Sequence, residues 1–277
     1  MLSYLHGFHA GNHADVLKHC ALSLILESLG LKEKPFFYLD THAGSGRYTL
    51  DSEVSQKKQE HLEGISKIWR SHTIPEALHP YIDSVRSINR GDQLRIYPGS
   101  PIIAQHFLRS DDRMHLCELH PGEFTKLEHL FARNPKIQTR KMDGYDAINA
   151  LLPPIQRRGL VHIDPAFEKK DERARLFLAL KNGIKKWSSG IFMVWYPIQD
   201  RATANQFLSR LEQLAIPDTL YLELSTHDDQ AFRLNGSALF VVNPPWKLDE
   251  KMSSALPWIW SKLSINGEGG WVVRKLS

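Results

Sequence analysis

The stretch 35–46, PFFYLDTHAGSG, decides the fold. Its first half is a short aromatic and aliphatic run that reads as a buried strand ending in an acid, Asp40. AGSG, 43–46, follows at once, and Gly44 and Gly46 supply the backbone freedom of a tight turn. Upstream, Ala14, Leu17, Ala21, Leu24, Ile25 and Leu29 recur at three- and four-residue steps, which predicts a helix over 13–29 with Gly30 as its stop. Downstream, 51–96 is polar, charged and helical in pattern, with few strand signals. It reads as a helical insertion after the first strand and turn.

From 97 onward an alternating rhythm returns. YPGSPIIAQHFL opens a helix, MHLCEL is a strand, PGEFTKLEHLFA a helix, IQTRKMD a strand, YDAINALLP a helix and GLVHID a strand. A charged helix over 168–188, a strand at 190–198 and a helix at 200–215 follow. The strands TLYLELST and SALFVVNPP, a helix over 248–263 and a short WVVRKL strand close the chain. Strands alternating with helices predict an α/β fold, a mostly parallel sheet covered on both faces. Such sheets bind ligands at the carboxyl ends of their strands.

The whole-chain numbers narrow the field. The chain has 277 residues, 42% of them hydrophobic and 24% charged, with a formal charge of 35 − 31 = +4. This excludes disordered, fibrous and coiled-coil classes. No run reaches the roughly 18 apolar residues of a membrane helix, and MLSYLHGFHAGNHAD lacks the basic and apolar regions of a signal peptide. Cys20 and Cys117 are too few for a disulfide framework or a cysteine zinc site. The expectation is a cytoplasmic protein without membrane association.

The residues at the predicted strand ends carry the chemistry. They are Asp40 with its glycine turn, Glu118, Asp143 and Asp164. A dinucleotide fold needs G-x-G-x-x-G for the pyrophosphate, whereas this turn offers only Gly44 and Gly46. It suits an uncharged or cationic group, such as the methionine part of S-adenosylmethionine. Glu118 fits the two ribose hydroxyls and Asp143 the adenine amine of that cofactor, with Gly144 permitting close approach. In Asp164-Pro165-Ala166-Phe167, a carboxylate and a backbone carbonyl steadied by proline would accept the hydrogens of a target exocyclic amine, and the aromatic ring would stack on its base. Read alone, Asp164 serves equally well as the N-cap of the next helix.

Two other features compete. Asn243-Pro244-Pro245-Trp246 fits an (Asp/Asn/Ser)-Pro-Pro-aromatic pattern better than 164–167 does, but it follows a late strand and reads as a strand stop. His6, His9, His13 and His19 invite a metal site. No cysteine and no nearby acid but Asp15 joins them, so the expected metal is none, and the cluster reads as closing over the cofactor or a phosphate. Of the basic pairs, Lys169-Lys170 lies directly after the catalytic loop, where a phosphate backbone must pass. Trp187, Trp195, Tyr196 and Trp258 read as packing residues.

MLSYxHxFHAGNHADVLKH, YLDTHAGSGRY, YPGSPxIA, Asp143-Gly144, RRGLVHIDP and VVNPPWKL together resemble the bacterial 23S ribosomal RNA adenine methyltransferases of the J type, over essentially the whole chain. The resemblance implies transfer of methyl from S-adenosylmethionine to the N6 amine of an adenosine in 23S rRNA, met protein-free or early in assembly, by an enzyme taken as a monomer. It implies a Rossmann-like methyltransferase fold with a mostly parallel seven-stranded sheet. The methyltransferase domain would be 1–50 and 97–277, and 51–96 a small inserted helical subdomain. Lys18, His19, His42, Gly44, Gly46, Ser100, Glu118, Asp143, Gly144 and Asp164 would hold the cofactor. Asp164, Pro165 and Phe167 would be catalytic, and Tyr4, Lys169 and Lys170 would meet the RNA. The family tetrapeptide is Asp-Pro-Pro-Tyr; Ala166 frees a φ that proline locks, loosening the loop by about 0.4–1 kcal/mol. The alternative is a nucleic-acid-binding or DNA-utilisation protein on the same fold with weak or lost activity.

Overall fold

Asn12 starts the first helix by accepting the Asp15 backbone N–H on its side-chain oxygen at 3.0 Å. In the computed structural model, which describes residues 5–229 and 234–276, α1 then runs from His13 to Gly30. β1 (Phe37–Asp40) passes through the glycine turn into β2 (Arg47–Thr49). The next segment holds α2 (Glu53–Gln56), α3 (Ile65–Trp69) and α4 (His79–Arg86), with three-ten turns at Glu60–Glu63 and Glu76–Leu78. β3 (Ile96–Pro98) pairs antiparallel with β2, a short ribbon the sequence did not announce.

Alternation then proceeds as the pattern predicts. α5 (Ser100–Phe107), β4 (Arg113–Cys117), α6 (Pro121–Phe131), β5 (Ile137–Arg140), α7 (Gly144–Leu151) and β6 (Gly159–Ile163) come first. They lead into α8 (Glu172–Lys186), β7 (Ile191–Ile198), α9 (Arg201–Glu212), β8 (Thr219–Ser225) and β9 (Gly236–Val242). α10 (Leu248–Leu263) and β10 (Gly270–Lys275) finish the chain.

The sheet order is β10-β8-β9-β7-β6-β1-β4-β5, with β7 through β5 parallel and β10, β8, β9 and β7 joined by antiparallel pairings. The sheet has eight strands where seven were expected. The extra one is β10, which covers the open hydrogen-bonding edge of β8, an edge that would otherwise invite pairing with another chain.

β1 reads as an unbroken apolar run because helices cover both of its faces. One apolar layer joins Leu17, Leu24 and Ile25 of α1 to Tyr81 of α4, Ile103 of α5 and Ile259 of α10. Ile65, Ile68, Leu78 and Val85 from the segment after β2 bury into this same layer. The opposite layer packs Ile148, Leu176, Leu180, Phe207 and Leu211 from α7, α8 and α9. Strand order reverses at β1, whose neighbours β4 and β6 lead the chain in opposite directions along the sheet. That reversal opens a crevice at the strands' carboxyl ends.

Candidate functional site

A cavity of about 370 Å³ occupies the crevice, within the range of small-molecule sites. Its carboxylates are Asp15, Glu118, Glu123, Asp143, Asp164, Glu168 and Glu172, against the cations Lys18, Lys169 and Arg175. The glycine turn strengthens this bias. Its backbone N–H groups already serve protein acceptors: Thr41 donates to the His162 carbonyl, Ala43 to the Cys117 carbonyl, His42 to Asp40 and Gly44 to Glu118. A pyrophosphate would find these four donors already taken and a wall of negative charge.

Each strand end sets its acid differently. Asp40 is wholly buried behind the cavity, accepting the Tyr38 hydroxyl at 2.8 Å, with His162 at 3.6 Å. Glu118 accepts the Gly44 N–H at 2.8 Å and the His120 N–H at 2.6 Å, and burial pushes its carboxyl up. Asp143 caps α7 by accepting the Tyr145 N–H at 2.9 Å, and Arg175 donates to its other oxygen at 2.8 Å. Burial works against the Asp143 carboxylate, but Arg175 holds the carboxyl below its usual range. Gly144 lies so close to the Thr41 carbonyl that a Cβ would overlap it.

Asp164 follows β6 immediately. Its Oδ2 accepts from Lys18 Nζ at 2.5 Å, a partner 146 residues away in the chain. Lys18 also reaches Asp15 at 2.8 Å, and its ammonium lies 5.6 Å from the Trp195 ring centroid. Asp15 in turn bonds His6 at 2.9 Å and accepts the Gly11 N–H at 2.8 Å. Burial disfavours the Lys18 charge, yet Asp15 and Asp164 together hold its ammonium above the ordinary lysine value. Asp15 is held well below the usual carboxylate range by His6 and Lys18 in spite of its burial. Phe167 takes a left-handed φ of 52°, its ring edge-on to Trp195 at 5.9 Å with the Arg173 guanidinium 5.4 Å away.

The structure therefore brings Lys18, His19, His42, Gly44, Ser100, Glu118, Asp143, Gly144, Asp164, Pro165, Phe167 and Lys169 around one cavity. His19 stacks on Tyr97 and bonds its hydroxyl at 2.7 Å, while His42 meets the Thr41 hydroxyl at 2.8 Å. Burial lowers the pKa of both imidazoles. Gly46 stands outside the lining: it turns the chain against Leu127, Leu130 and Phe131. Lys170 is exposed and also outside it. Tyr4 lies outside the described residues. His6 and His9 engage Asp15 and Glu60.

The model of the family described as Ribosomal RNA large subunit methyltransferase D, RlmJ, matches residues 33–276. The chain belongs to this family. A curated relative from Escherichia coli K12, Ribosomal RNA large subunit methyltransferase J, is 45% identical over 99% of this chain and 99% of its own length. Its namesake in Haemophilus influenzae Rd is 43% identical, over 99% of this chain and 98% of its own. A crystal structure of a Legionella pneumophila Philadelphia 1 protein from family DUF519 superposes with TM-score 0.89 at 36% identity, covering 96% of this chain and 98% of that one.

Sequence reasoning missed several walls of the RlmJ-family cavity. In the sequence Asp15 stands out only as an acid near the histidines, yet it anchors Lys18 and His6. Trp195 was read as packing, and it faces the cavity beside Phe167. Arg175 carried no signal beyond a charged helix. For Asp15 a signal existed: an acid three residues before a lysine on an otherwise apolar helix makes an i,i+3 pair.

Proposed function

We propose that this chain transfers a methyl group from S-adenosylmethionine to the exocyclic N6 amine of an adenosine in 23S ribosomal RNA. The observation that carries this reading is the acid-lined crevice at the strand ends, where the N–H groups of Thr41, His42, Ala43 and Gly44 are already bonded to protein, which suits a cationic nucleoside-like ligand and disfavours a phosphate. Glu118 and Asp143 retain lone pairs for ribose hydroxyls and for an adenine amine, and Gly144 lets the start of α7 pack against the Thr41 carbonyl. Lys18, His19, His42, Gly44 and Ser100 complete the wall. When bound, the cofactor supplies an electrophilic methyl on a sulfonium centre.

The chain's own residues position the nucleophile. An adenine amine is unreactive while its lone pair is delocalised into the ring. Lys18 fixes Asp164 through Oδ2, which leaves Oδ1 for one amine hydrogen. A backbone carbonyl steadied by Pro165 takes the other. Phe167 stacks on the base, an interaction worth about 1–3 kcal/mol, and Trp195, edge-on to Phe167, supports that ring. The proton released on transfer passes to Asp164 Oδ1. Asp15 acts as a positioning residue, since it holds Lys18 and His6 in place. Much of the rate then comes from orientation.

The remaining expectations belong to the same reading. Residues 51–96 act as an inserted helical unit beside the methyltransferase domain of 1–50 and 97–277. Lys169 and Lys170 meet the RNA backbone, the RNA is protein-free or early in assembly, and the enzyme works as a cytoplasmic monomer. No helix among the described residues is long and apolar enough to cross a membrane. The test is calorimetric titration with S-adenosylmethionine, followed by tritiated methyl transfer onto 23S RNA from a strain lacking the enzyme and mass mapping of the product. Saturable binding and N6-methyladenosine are expected. No binding at millimolar cofactor, or no methylated adenosine, overturns the reading.

A further inference from the structure

The acid-lined cavity poses a problem for any polyanionic substrate. Apart from Lys169 its cations are tied up: Lys18 by Asp15 and Asp164, and Arg175 by Asp143. An RNA backbone must therefore be gripped elsewhere. Resting on the RNA-methylating reading above, we propose that a second cleft, between the β2–β3 ribbon and the loop after α4, binds the phosphodiester backbone of the RNA substrate.

The cleft has a volume of about 700 Å³. Arg47, Arg90 and Arg95 line it together with Asn89 and Gln93, and no carboxylate does. None of the three arginines forms an ion pair with a described residue, in contrast to neighbouring Arg86, which reaches Asp83 at 3.6 Å. Exposed arginines on a floppy loop would mean little, but this loop is built. Asn89 Oδ1 accepts the Arg95 and Ile96 backbone N–H groups, each at 2.9 Å. Its Nδ2 donates to the Val85 and Ile96 carbonyls, each at 2.8 Å. One side chain thus clasps both ends of the loop that carries Arg90 and Arg95.

Arg47 comes from the other wall, and the ribbon explains its aim. Successive strand residues face opposite sides: Tyr48 is buried and lines the acidic cavity, whereas Arg47 is exposed and lines the cleft. The ribbon is therefore a partition with a nucleoside-sized acidic cavity on one face and a row of guanidiniums on the other. Guanidinium forks match phosphate oxygens in geometry and keep their charge at all working pH values. A backbone passing through the cleft would enter the cavity's mouth over this partition.

The test is the variant Arg47→Gln/Arg90→Gln/Arg95→Gln, assayed for binding to a 23S ribosomal RNA transcript over a series of salt concentrations. Expected are a Kd raised by about tenfold or more at physiological salt and a log–log salt slope reduced by about 2, near 0.7–0.9 for each lost phosphate contact. KM for RNA should rise while kcat at saturating RNA and the S-adenosylmethionine affinity stay put, which also shows that the variant is folded. Lys181→Gln/Lys185→Gln, on α8, serves as the charge-loss control and should move the slope little. An unchanged Kd and slope in the arginine variant, or an equal drop in the control, overturns the proposal. A wild-type chain that binds RNA through these arginines yet transfers no methyl overturns the enzymatic reading and leaves the cleft standing.

Discussion

Two loops of this protein carry nearly the same four-residue pattern, Asp164-Pro165-Ala166-Phe167 after β6 and Asn243-Pro244-Pro245-Trp246 after β9. Both contain a non-glycine residue in the left-handed region, Phe167 at φ 52° and Asn243 at φ 51°. Beyond that they part. Asp164 points into the acidic cavity and meets Lys18. Asn243 donates to the Ser188 and Gly190 carbonyls at 2.8 and 2.7 Å, fastening the loop before β7, and Trp246 stands 85% exposed. The difference lies in strand direction. β6 is a parallel strand beside β1, so its carboxyl end opens on the crevice, whereas β9 runs antiparallel to β7 and ends at the opposite edge.

The sharpest way to break this comparison is to remove each first residue in turn. Asp164→Ala should lower kcat for methyl transfer by about 10²–10⁴-fold, the range for a positioned group that handles a proton. Asn243→Ala should keep kcat and cost about 1–3 kcal/mol of stability in urea unfolding, because two backbone carbonyls lose their donor. Retained activity in the first and loss in the second would exchange the roles of the loops.

Lys18→Met probes what distinguishes the Asp164 loop. It leaves Asp15 and Asp164 without their shared counter-ion, so a stability loss of about 3–5 kcal/mol and a deep fall in kcat are expected. The wild-type enzyme should show no alkaline loss through pH 10 from this lysine. Its folded pKa is raised, so its contribution to stability is complete below the ordinary lysine value and is lost as pH rises from there through the folded one. A pH–rate profile with a lysine limb near pH 10 would contradict the buried bridge.

Behind the Asp164 loop, Asp40 gives an acid signature that the Asn243 loop lacks. Burial alone would raise its carboxyl, but His162 and the hydrogen bonds from Tyr38 and Ser100 lower it from 3.8 to about 2. A depressed carboxyl stabilises the fold above its unfolded value, and this is lost as pH falls from about 4 toward about 2, roughly 2 kcal/mol in all. Thermal melts of wild type and Asp40→Asn should converge across that window. Smallest of all, Ala166→Pro makes the first loop resemble the second. A gain of about 0.4–1 kcal/mol in loop order predicts a rise in kcat of up to about fivefold; a loss would mean the Ala166 conformation is incompatible with proline.

Much of this was legible in the sequence because its signals are local. Period-2 and period-3.6 patterns place the helices and strands from 97 onward, and the acids after each parallel strand mark the crevice. The β2–β3 ribbon escaped because three-residue strands leave no periodicity; the final WVVRKL strand was legible, but its place as the eighth strand of the sheet was not, because edge pairing depends on where α10 returns the chain. Trp195 escaped because one aromatic residue in a strand looks the same whether it faces core or cavity.

The sequence by itself determined the alternating α/β class, the strand-end carboxylates and the two proline loops. Only the tertiary structure decided that Lys18 bridges Asp15 to Asp164, that Trp195 faces the cavity beside Phe167, and that three arginines gather behind the ribbon. Periodicity reports the face a residue presents to its own element. Which distant residue meets that face is fixed by strand order and crossover direction, and those follow from the packing of the whole chain.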